Sequence, residues 1–505
     1  MSDVLVIGGG VAGLVAARAC AHIGLSVTVL EATDAVGGAV AGHEVAGMTL
    51  DSGAESFAVR RNAVAEFAAE LGLSGAIVAP NPAGAWLYLP GDGSAAGAVS
   101  VPLPLAGVLG IPGSPLADDV RRVIGWGGAW RAYLDRLLPV LTIGRERSLG
   151  ELVRKRMGRR VLERLVDPVA GGVYSASAVD LEVDVVAPGL NTALTTTGSL
   201  SGAVLALRSA APAGSAIGGL SGGMSRLVEA LRADLDLYGA RVLTGSPVTA
   251  LAETGPEDEP TWTVTIAAPA ASTSAADESA TDSADSDTTN TTDTDGTTLQ
   301  GRFVILATPG AQAMRLLAGV TADAAALADL DWPEPTAVEL ATIVIDAPAL
   351  DAHPRGTGVL VAAGAPGVTA KALTHVSAKW DWVAEAAGPG RHVVRLSYGR
   401  AGEANPVAHL SDDEFQALAV RDAETLLGVD LALGAVRGFA RTLWGDALSP
   451  ATIGATERVR QVREVAQAVP GLEVTGAWLA GTGLASVIPD ALAAASRTRH
   501  AALRL

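Results

Sequence analysis

The stretch VLVIGGGVAGL at residues 4–14 constrains the fold more than any other part of this chain. Residues 4–7 form a short apolar run, the right length for a buried strand, and three glycines follow at once. An apolar-periodic segment over residues 11–23 reads as a helix, and a second apolar run, 27–30, ends on Glu31. This is a βαβ unit carrying G-x-G-x-x-G at Gly8, Gly10 and Gly13. Gly8 permits a tight strand-to-helix turn, Gly10 lets a pyrophosphate approach the backbone, and Gly13 lets helix and strand pack closely. The free amides and positive dipole end of the helix then face the phosphates. Glu31 lies 18 residues after Gly13, where an acid accepts hydrogen bonds from a ribose. The pattern predicts dinucleotide binding. A glycine-rich turn that binds nothing is the alternative, and the agreement of strand, helix, second strand and acid weighs against it. The motif alone does not separate NAD from FAD.

At 505 residues the chain exceeds one ordinary core, so two or three intertwined domains are expected. With 49% hydrophobic and 18% charged residues it can fill large cores. A net charge of −18 argues against nucleic acid and against broad adhesion to anionic lipid, and an anionic substrate would need a local basic pocket. The single cysteine, Cys20, rules out a disulfide framework, which fits a reducing cytoplasm. Its place in the first helix reads as core filling rather than a nucleophile. The seven histidines show no metal-ligand spacing, and no acid–base pair or triad stands out. The N-terminal apolar run lacks a basic n-region and is expected to be the first strand, not a signal peptide. The longest uncharged run, 93–117, contains four prolines, so a membrane-spanning helix is not expected there. Trp126, Trp130 and Tyr133 share a helical pattern with Leu134, Leu137 and Leu138. This stripe reads as core packing, with a monotopic membrane foot as the alternative.

Further along, Gly37 and Gly38 form a second close-approach site, followed by Asp51-Ser-Gly-Ala-Glu-Ser56 and then Arg60 and Arg61. Residues 85–215 look mostly helical, with proline-rich breaks. The basic run 149–165 reads as a solvated helix face, and a rim attracting substrate carboxylates is the alternative. Strands are expected at 241–243, 247–251 and 262–266. Residues 268–298 hold seven acids, no base and no aromatic, so they are expected to be a disordered hairpin-tip insert; without them the chain still carries −11. Residues 302–307 read as a buried strand, 336–440 hold several alternating strands of a mixed sheet, and Pro489 suits a first helical turn. The expected fold is thus α/β. A discontinuous Rossmann-like dinucleotide-binding domain (1–84, 216–335 and 441–505), which the resemblance described next makes an FAD-binding one, surrounds a helical part (85–215), with a membrane-facing role as its alternative reading, and a mixed-sheet substrate domain (336–440).

The GGGVAGL start, Glu31, the Gly37–Gly38 pair and the DSGAES stretch resemble, in order, the FAD-dependent amine-oxidase-like superfamily. One departure is that Ala39 stands where that family usually has Arg or Lys after the glycine pair. Four further stretches resemble the oxygen-dependent protoporphyrinogen/coproporphyrinogen oxidases, most of all the Gram-positive and actinobacterial coproporphyrinogen III oxidases. These are LVDPVAGGVYS at 165–175, KALTHVSAKWDW at 371–382, WGDALSPATIG at 444–454 and GTGLASVIPD at 481–490.

The resemblance implies non-covalent FAD, with no His or Cys in an evident linkage motif. Gly8, Gly9, Gly10, Val11, Ala12 and Gly13 would hold the pyrophosphate, and Glu31 with Ala32 the adenosine ribose. Gly38 and the Gly53, Ala54, Glu55 and Ser56 loop would lie along the flavin side. Val248 would contact adenine through its backbone, and Trp444 would pack near the flavin. Val487, Ile488 and Pro489 would place a helix start at the pyrimidine edge, where a helix N-terminus stabilises the anion of a reduced flavin. Arg60, Arg61 and Lys371 are candidates for substrate carboxylates, and Gly172 and Tyr174 for a substrate wall. No catalytic side chain is singled out.

The reaction implied is oxidation of coproporphyrinogen III by dioxygen in heme biosynthesis, releasing hydrogen peroxide. Product would pass to a ferrochelatase, in the cytoplasm or peripherally on the inner face of the membrane. Protoporphyrinogen IX is the rival substrate. Beyond it stand an amine oxidase, a carotenoid desaturase and a flavin- or porphyrin-binding carrier without turnover. The low aromatic content, 4%, weighs against the aromatic cage of an amine oxidase.

Overall fold

The computed structural model describes residues 1–59, 62–91, 97–105, 107–139, 146–209, 216–255, 261–267, 297–320, 327, 330–334, 336–448 and 451–503. Arg60, Arg61 and residues 268–296 of the acidic insert lie outside them.

The four apolar residues after the N-terminus decide the first layer. Val4, Leu5, Val6 and Ile7 are all 2% exposed or less. Val4 and Val6 face the helix Val11–Ala21, while Leu5 and Ile7 face the opposite side with Leu316 and Trp478. A strand buried on both faces belongs in the middle of a parallel sheet. Here the parallel order is Arg241–Leu243, Val27–Leu30, Ser2–Ile7, Thr298–Leu306 and Leu472–Val474. Val4 pairs with Val27 on one side and Phe303 on the other. The first half of Thr298–Leu306 also carries an antiparallel extension, Trp262–Ile266 and then Val248–Glu253. The helices Val11–Ala21, Ser225–Leu237 and Leu484–Leu503 share one core against this sheet. Cys20 lies in that core at 0% exposure, and burial pushes its thiol up to about 12, so it acts as packing.

A second, seven-stranded sheet runs Val436–Leu448, Thr336–Asp346, Arg391–Tyr398, Ala372–His375, Gly358–Val361, Ala85–Pro90, Ala98–Pro102. It is mixed, with one parallel pair, Gly358–Val361 beside Ala85–Pro90. Its last two strands come from the start of the segment expected to be helical, so that segment enters the sheet before any helix forms. Alternation along Arg391–Tyr398 sends Val394, Leu396 and Tyr398 to the outer face, under the helix Asp412–Leu427. That helix opens on a capping box of Ser411 and Glu414, a device worth about 1 kcal/mol. Val393 and Arg395 point the other way, toward the first sheet's loops.

The helical part packs Asp118–Tyr133, Leu149–Met157, Asp167–Tyr174, Leu190–Thr197 and Leu200–Ser209 around a third core. Two expectations fail in it. Arg156, from the run expected to be solvated, is buried: its Nε donates to Asp135 Oδ1 at 2.6 Å, and its guanidinium also reaches the carbonyls of Asp135 and Gly198 at 3.1 Å each. Removing one partner of such a pair costs about 3–5 kcal/mol. The Trp126 stripe is not core either. Trp126 is 59% exposed, Trp130 53% and Leu137 75%, with Leu134 and Leu138 also exposed. The cause is Gly125, whose φ of 68° interrupts the helix and turns Trp126 outward, where the Arg121 guanidinium covers its ring at 4.0 Å. Among the described residues no helix is long and apolar enough to cross a membrane.

Candidate functional site

The glycine turn was built for a close approach. A Cβ on Gly13 would stand 1.9 Å from the Gly8 carbonyl oxygen, so helix and strand touch there as expected. A Cβ on Gly10 would meet nothing within 4 Å, although its φ of −68° suits any residue. Its missing side chain therefore leaves open space at the helix start, where the amides of Val11, Ala12 and Gly13 have no carbonyl four residues back to bind. Gly38 walls this space: a Cβ there would be 3.3 Å from Gly10 Cα, and the Gly37 amide donates to the Gly9 carbonyl at 2.8 Å. An open cradle of backbone amides fits a pyrophosphate.

Glu31 sits at the edge of this cradle. Its carboxylate accepts from the Gly9 amide at 2.7 Å and from the Thr33 amide and hydroxyl at 2.9 and 2.7 Å. Its backbone is tied to Leu243 and to Ser246, two residues before Val248. The Val248 carbonyl already accepts from Gln312 Nε2 at 2.9 Å. Ala32 is exposed beside Glu31.

The Asp51–Ser56 loop is held from two sides. The amides of Ser52 and Ala54 donate to the carbonyls of Ala41 and Ala39, both at 2.9 Å. Three successive carbonyls on it accept from side chains of the mixed sheet. Arg395 NH1 donates to Asp51 O at 3.1 Å and Gly53 O at 2.8 Å, and Trp444 Nε1 donates to Ser52 O at 2.9 Å. Glu55 is buried between Arg395, whose NH2 is 2.9 Å from Oε2, and Lys379, which donates to Oε1. Burial pushes the Glu55 carboxyl up, but the Arg395 and Lys379 charges outweigh it and hold the group at about 2. Next to it, burial lifts Asp51 to about 6, against the pull of the Met224 amide, which donates to Oδ1 at 2.7 Å, and of Arg395. Asp51, Glu55, Arg395, Thr342 and Trp382 line a small cavity between this loop and the mixed sheet.

The C-terminal helix corrects one expectation. It starts at Leu484, five residues before Pro489, because Gly481 and Gly483 turn the chain at φ of 90° and 113°. The Val487 amide is already spent on the Gly483 carbonyl at 3.1 Å, and the Val487 and Ile488 side chains are buried against the first helix. The unpaired amides at this helix entrance therefore belong to Leu484 and Ala485, not to Val487–Pro489. Asp490 anchors the helix, accepting from Thr475 Oγ1 at 2.7 Å and pairing with Arg463 at 2.6 Å.

On the helical side, Gly172 and Lys371 come together at the edge of the mixed sheet. A Cβ on Gly172 would be 2.5 Å from Leu360 Cδ2, so the close approach is to the sheet itself. Tyr174 turns its hydroxyl to the Val186 carbonyl, 3.5 Å away, and packs against the helical core. Lys371 is 3% exposed and donates to the hydroxyl of Ser175, a residue in the left-handed region at φ 54°. Burial, with the charge of nearby Arg400, pulls its ammonium down to about 7. Among the described residues no carboxylate pairs with Lys371, while the charges of Glu403 and Asp167 act on Arg400.

Sequence reading missed Arg395, Lys379, Arg400 and Ser175. Arg395 left one signal, a single cation in the otherwise apolar alternation of HVVRLSY.

The profile of the family described as "Flavin containing amine oxidoreductase" matches residues 11–498. Coproporphyrinogen III oxidase of Mycobacterium leprae is 30% identical over 505 residues, covering 98% of this chain and 97% of the relative. That of Bacillus subtilis is 25% identical over 517 residues, covering 98% of each. Among solved structures, a protein from Exiguobacterium sp. 255-15, provisionally assigned as a protoporphyrinogen oxidase, superimposes with a TM-score of 0.77 at 23% identity over 100% of this chain and 99% of that one. Cyclohexylamine oxidase from Brevibacterium oxydans has the same fold, with a TM-score of 0.59 at 14% identity over 99% of both chains.

Proposed function

The chain belongs to the flavin containing amine oxidoreductase family, and on that premise we propose that it is an FAD-dependent oxidase of coproporphyrinogen III acting in heme biosynthesis. The observation that carries the reading is an end-to-end relation to coproporphyrinogen III oxidases, 98% of the chain in each case, by a chain whose Gly10 cradle is open. When bound, the flavin supplies the acceptor for hydride from the porphyrinogen and passes the electrons to dioxygen as hydrogen peroxide.

The chain's own residues bind and orient. In this reading FAD is held without a covalent bond. Gly8 to Gly13 and Gly38 take the pyrophosphate, Glu31 and Ala32 the ribose, and Val248 the adenine. Gly53 to Ser56 and Trp444 take the flavin side, and the helix entrance at Leu484 and Ala485 faces its pyrimidine edge. Arg60, Arg61 and Lys371 take substrate carboxylates, and Gly172 and Tyr174 shape the wall. Lys371 is suited to the task because a buried cation without a counter-ion gains most when an anion arrives. The product would be handed to a ferrochelatase, and exposed Trp126, Trp130, Leu134, Leu137 and Leu138 give the chain a peripheral contact with a membrane.

The deciding measurement is kcat/KM for coproporphyrinogen III and protoporphyrinogen IX, read by porphyrin fluorescence, on protein whose flavin is released by acid and identified. We expect yellow protein, free FAD in the acid supernatant and the higher efficiency with coproporphyrinogen III. Coproporphyrinogen carries four carboxylates and protoporphyrinogen two, so Lys371→Ala should harm the first substrate more. One lost charge-assisted pair costs about tenfold or more. A preference for protoporphyrinogen IX would overturn the substrate, and colourless protein that takes up no FAD would overturn the whole reading.

A further inference from the structure

We propose that Arg395 is a positioning residue for the cofactor, through which the mixed sheet sets the shape of the phosphate and flavin cradle. The proposal rests on the flavin reading above. Three successive carbonyls, Asp51, Ser52 and Gly53, are satisfied by side chains of the other sheet, two of them by Arg395 alone. Its remaining arm pairs with Glu55 two residues on, and Lys379 pins the same carboxylate from a second direction.

The loop passes this constraint inward. The amides of Ser52 and Ala54 bind the carbonyls of Ala41 and Ala39, and a Cβ on Gly53 would stand 2.1 Å from Ala39 O. Residues 39–41 directly follow Gly37 and Gly38, which close on Gly9 and Gly10. A continuous backbone path therefore runs from the Arg395 guanidinium to the open space at Gly10, through two short ladders with no flexible side chain between. A planar fork can hold two carbonyls and a carboxylate at once, whereas a lysine holds a single point. If the two cations served only to tie one sheet to the other, a buried apolar contact would do as well. The loop carbonyls give them a geometric task instead. The family resemblance pointed to the 51–56 loop, and the residues that hold it lie some 340 positions away in sequence, Arg395 being 342 from Gly53.

The test uses full-length wild type, Arg395→Lys and Arg395→Met, stripped of flavin and titrated with FAD by quenching of flavin fluorescence. Far-UV circular dichroism of each apo-protein is recorded alongside. The expected result is unchanged secondary structure in all three. The FAD Kd should rise about tenfold in Arg395→Lys, which keeps the charge beside Glu55 but loses the fork, and further in Arg395→Met. The midpoint potential of the bound flavin should shift in the lysine variant as well. A wild-type Kd in both variants overturns the proposal. So does loss of secondary structure in either apo-variant, which would assign Arg395 to folding. If wild type itself binds no FAD, the flavin reading fails and not merely this inference.

Discussion

Lys371 shows how one side chain couples stability to the site. Its ammonium is pulled from the ordinary lysine value of 10.5 down to about 7 by burial and by Arg400. The charged form is therefore penalised in the folded chain. Stability contributed by the neutral amine is present above 10.5 and is lost as pH falls toward 7. Without substrate, Lys371→Met should be more stable than wild type below about pH 7, with a ceiling of roughly 5 kcal/mol, and the two should converge as pH rises toward 10. Urea melts at several pH values check this, and a difference that does not vary with pH would refute it. Turnover should move the other way, because the substituted chain has no cation there for a propionate. Lys371 was legible as a cation in a stretch carrying family resemblance. Arg395 was not, because a lone charge in an alternating strand reads as its solvent face. Only the docking of the first sheet's loops onto that face makes it an inward residue.

The elements of the N-terminal unit were legible because strand, glycine turn, helix and acid each follow from local chemistry. The same locality yields a sharp contrast between two glycines. Gly10→Ala meets no atom within 4 Å and needs no unusual backbone, so the apo-protein should melt as wild type does. Its methyl group occupies the cradle, and FAD affinity should drop about tenfold or more. Gly13→Ala places a methyl 1.9 Å from the Gly8 carbonyl, so it should lower the apo-protein's melting temperature by several degrees. Thermal melts with and without FAD separate the two, and a destabilised Gly10→Ala would show that its open space is not a ligand cradle. The C-terminal helix was misread for a related reason. Proline favours a first turn, but a pair of glycines with positive φ starts the helix earlier, and Asp490, held by Thr475 and Arg463, keeps Pro489 inside it. Those two contacts join residues that no local pattern links.

At the scale of the whole molecule, long-range pairing is where the sequence was least legible. The hairpin Ala85–Pro90 and Ala98–Pro102 joins a sheet whose other strands begin at Thr336, so its partner could not be read locally. The same scale governs the proposed membrane contact. The chain is strongly acidic, at −18, which should repel an anionic bilayer. Charge is distributed unevenly, however. Arg122, Arg131 and Arg136 are exposed on the same segment as Trp126, Trp130, Leu134 and Leu137, and Arg121 stacks on Trp126 while pairing with Asp118. Aromatic and leucine side chains rimmed by arginine suit the headgroup boundary of an anionic membrane. Wild type should therefore co-sediment with phosphatidylglycerol-rich vesicles at low salt and much less with phosphatidylcholine vesicles. Screening should weaken the attraction over a Debye length of about 10 Å at 0.1 M salt. Trp126→Ser combined with Trp130→Ser should abolish the co-sedimentation while leaving FAD content unchanged, because both side chains point away from the three cores. Binding that survives the double substitution, or no binding by wild type, would remove the membrane from the account and leave the oxidase reading as it stands.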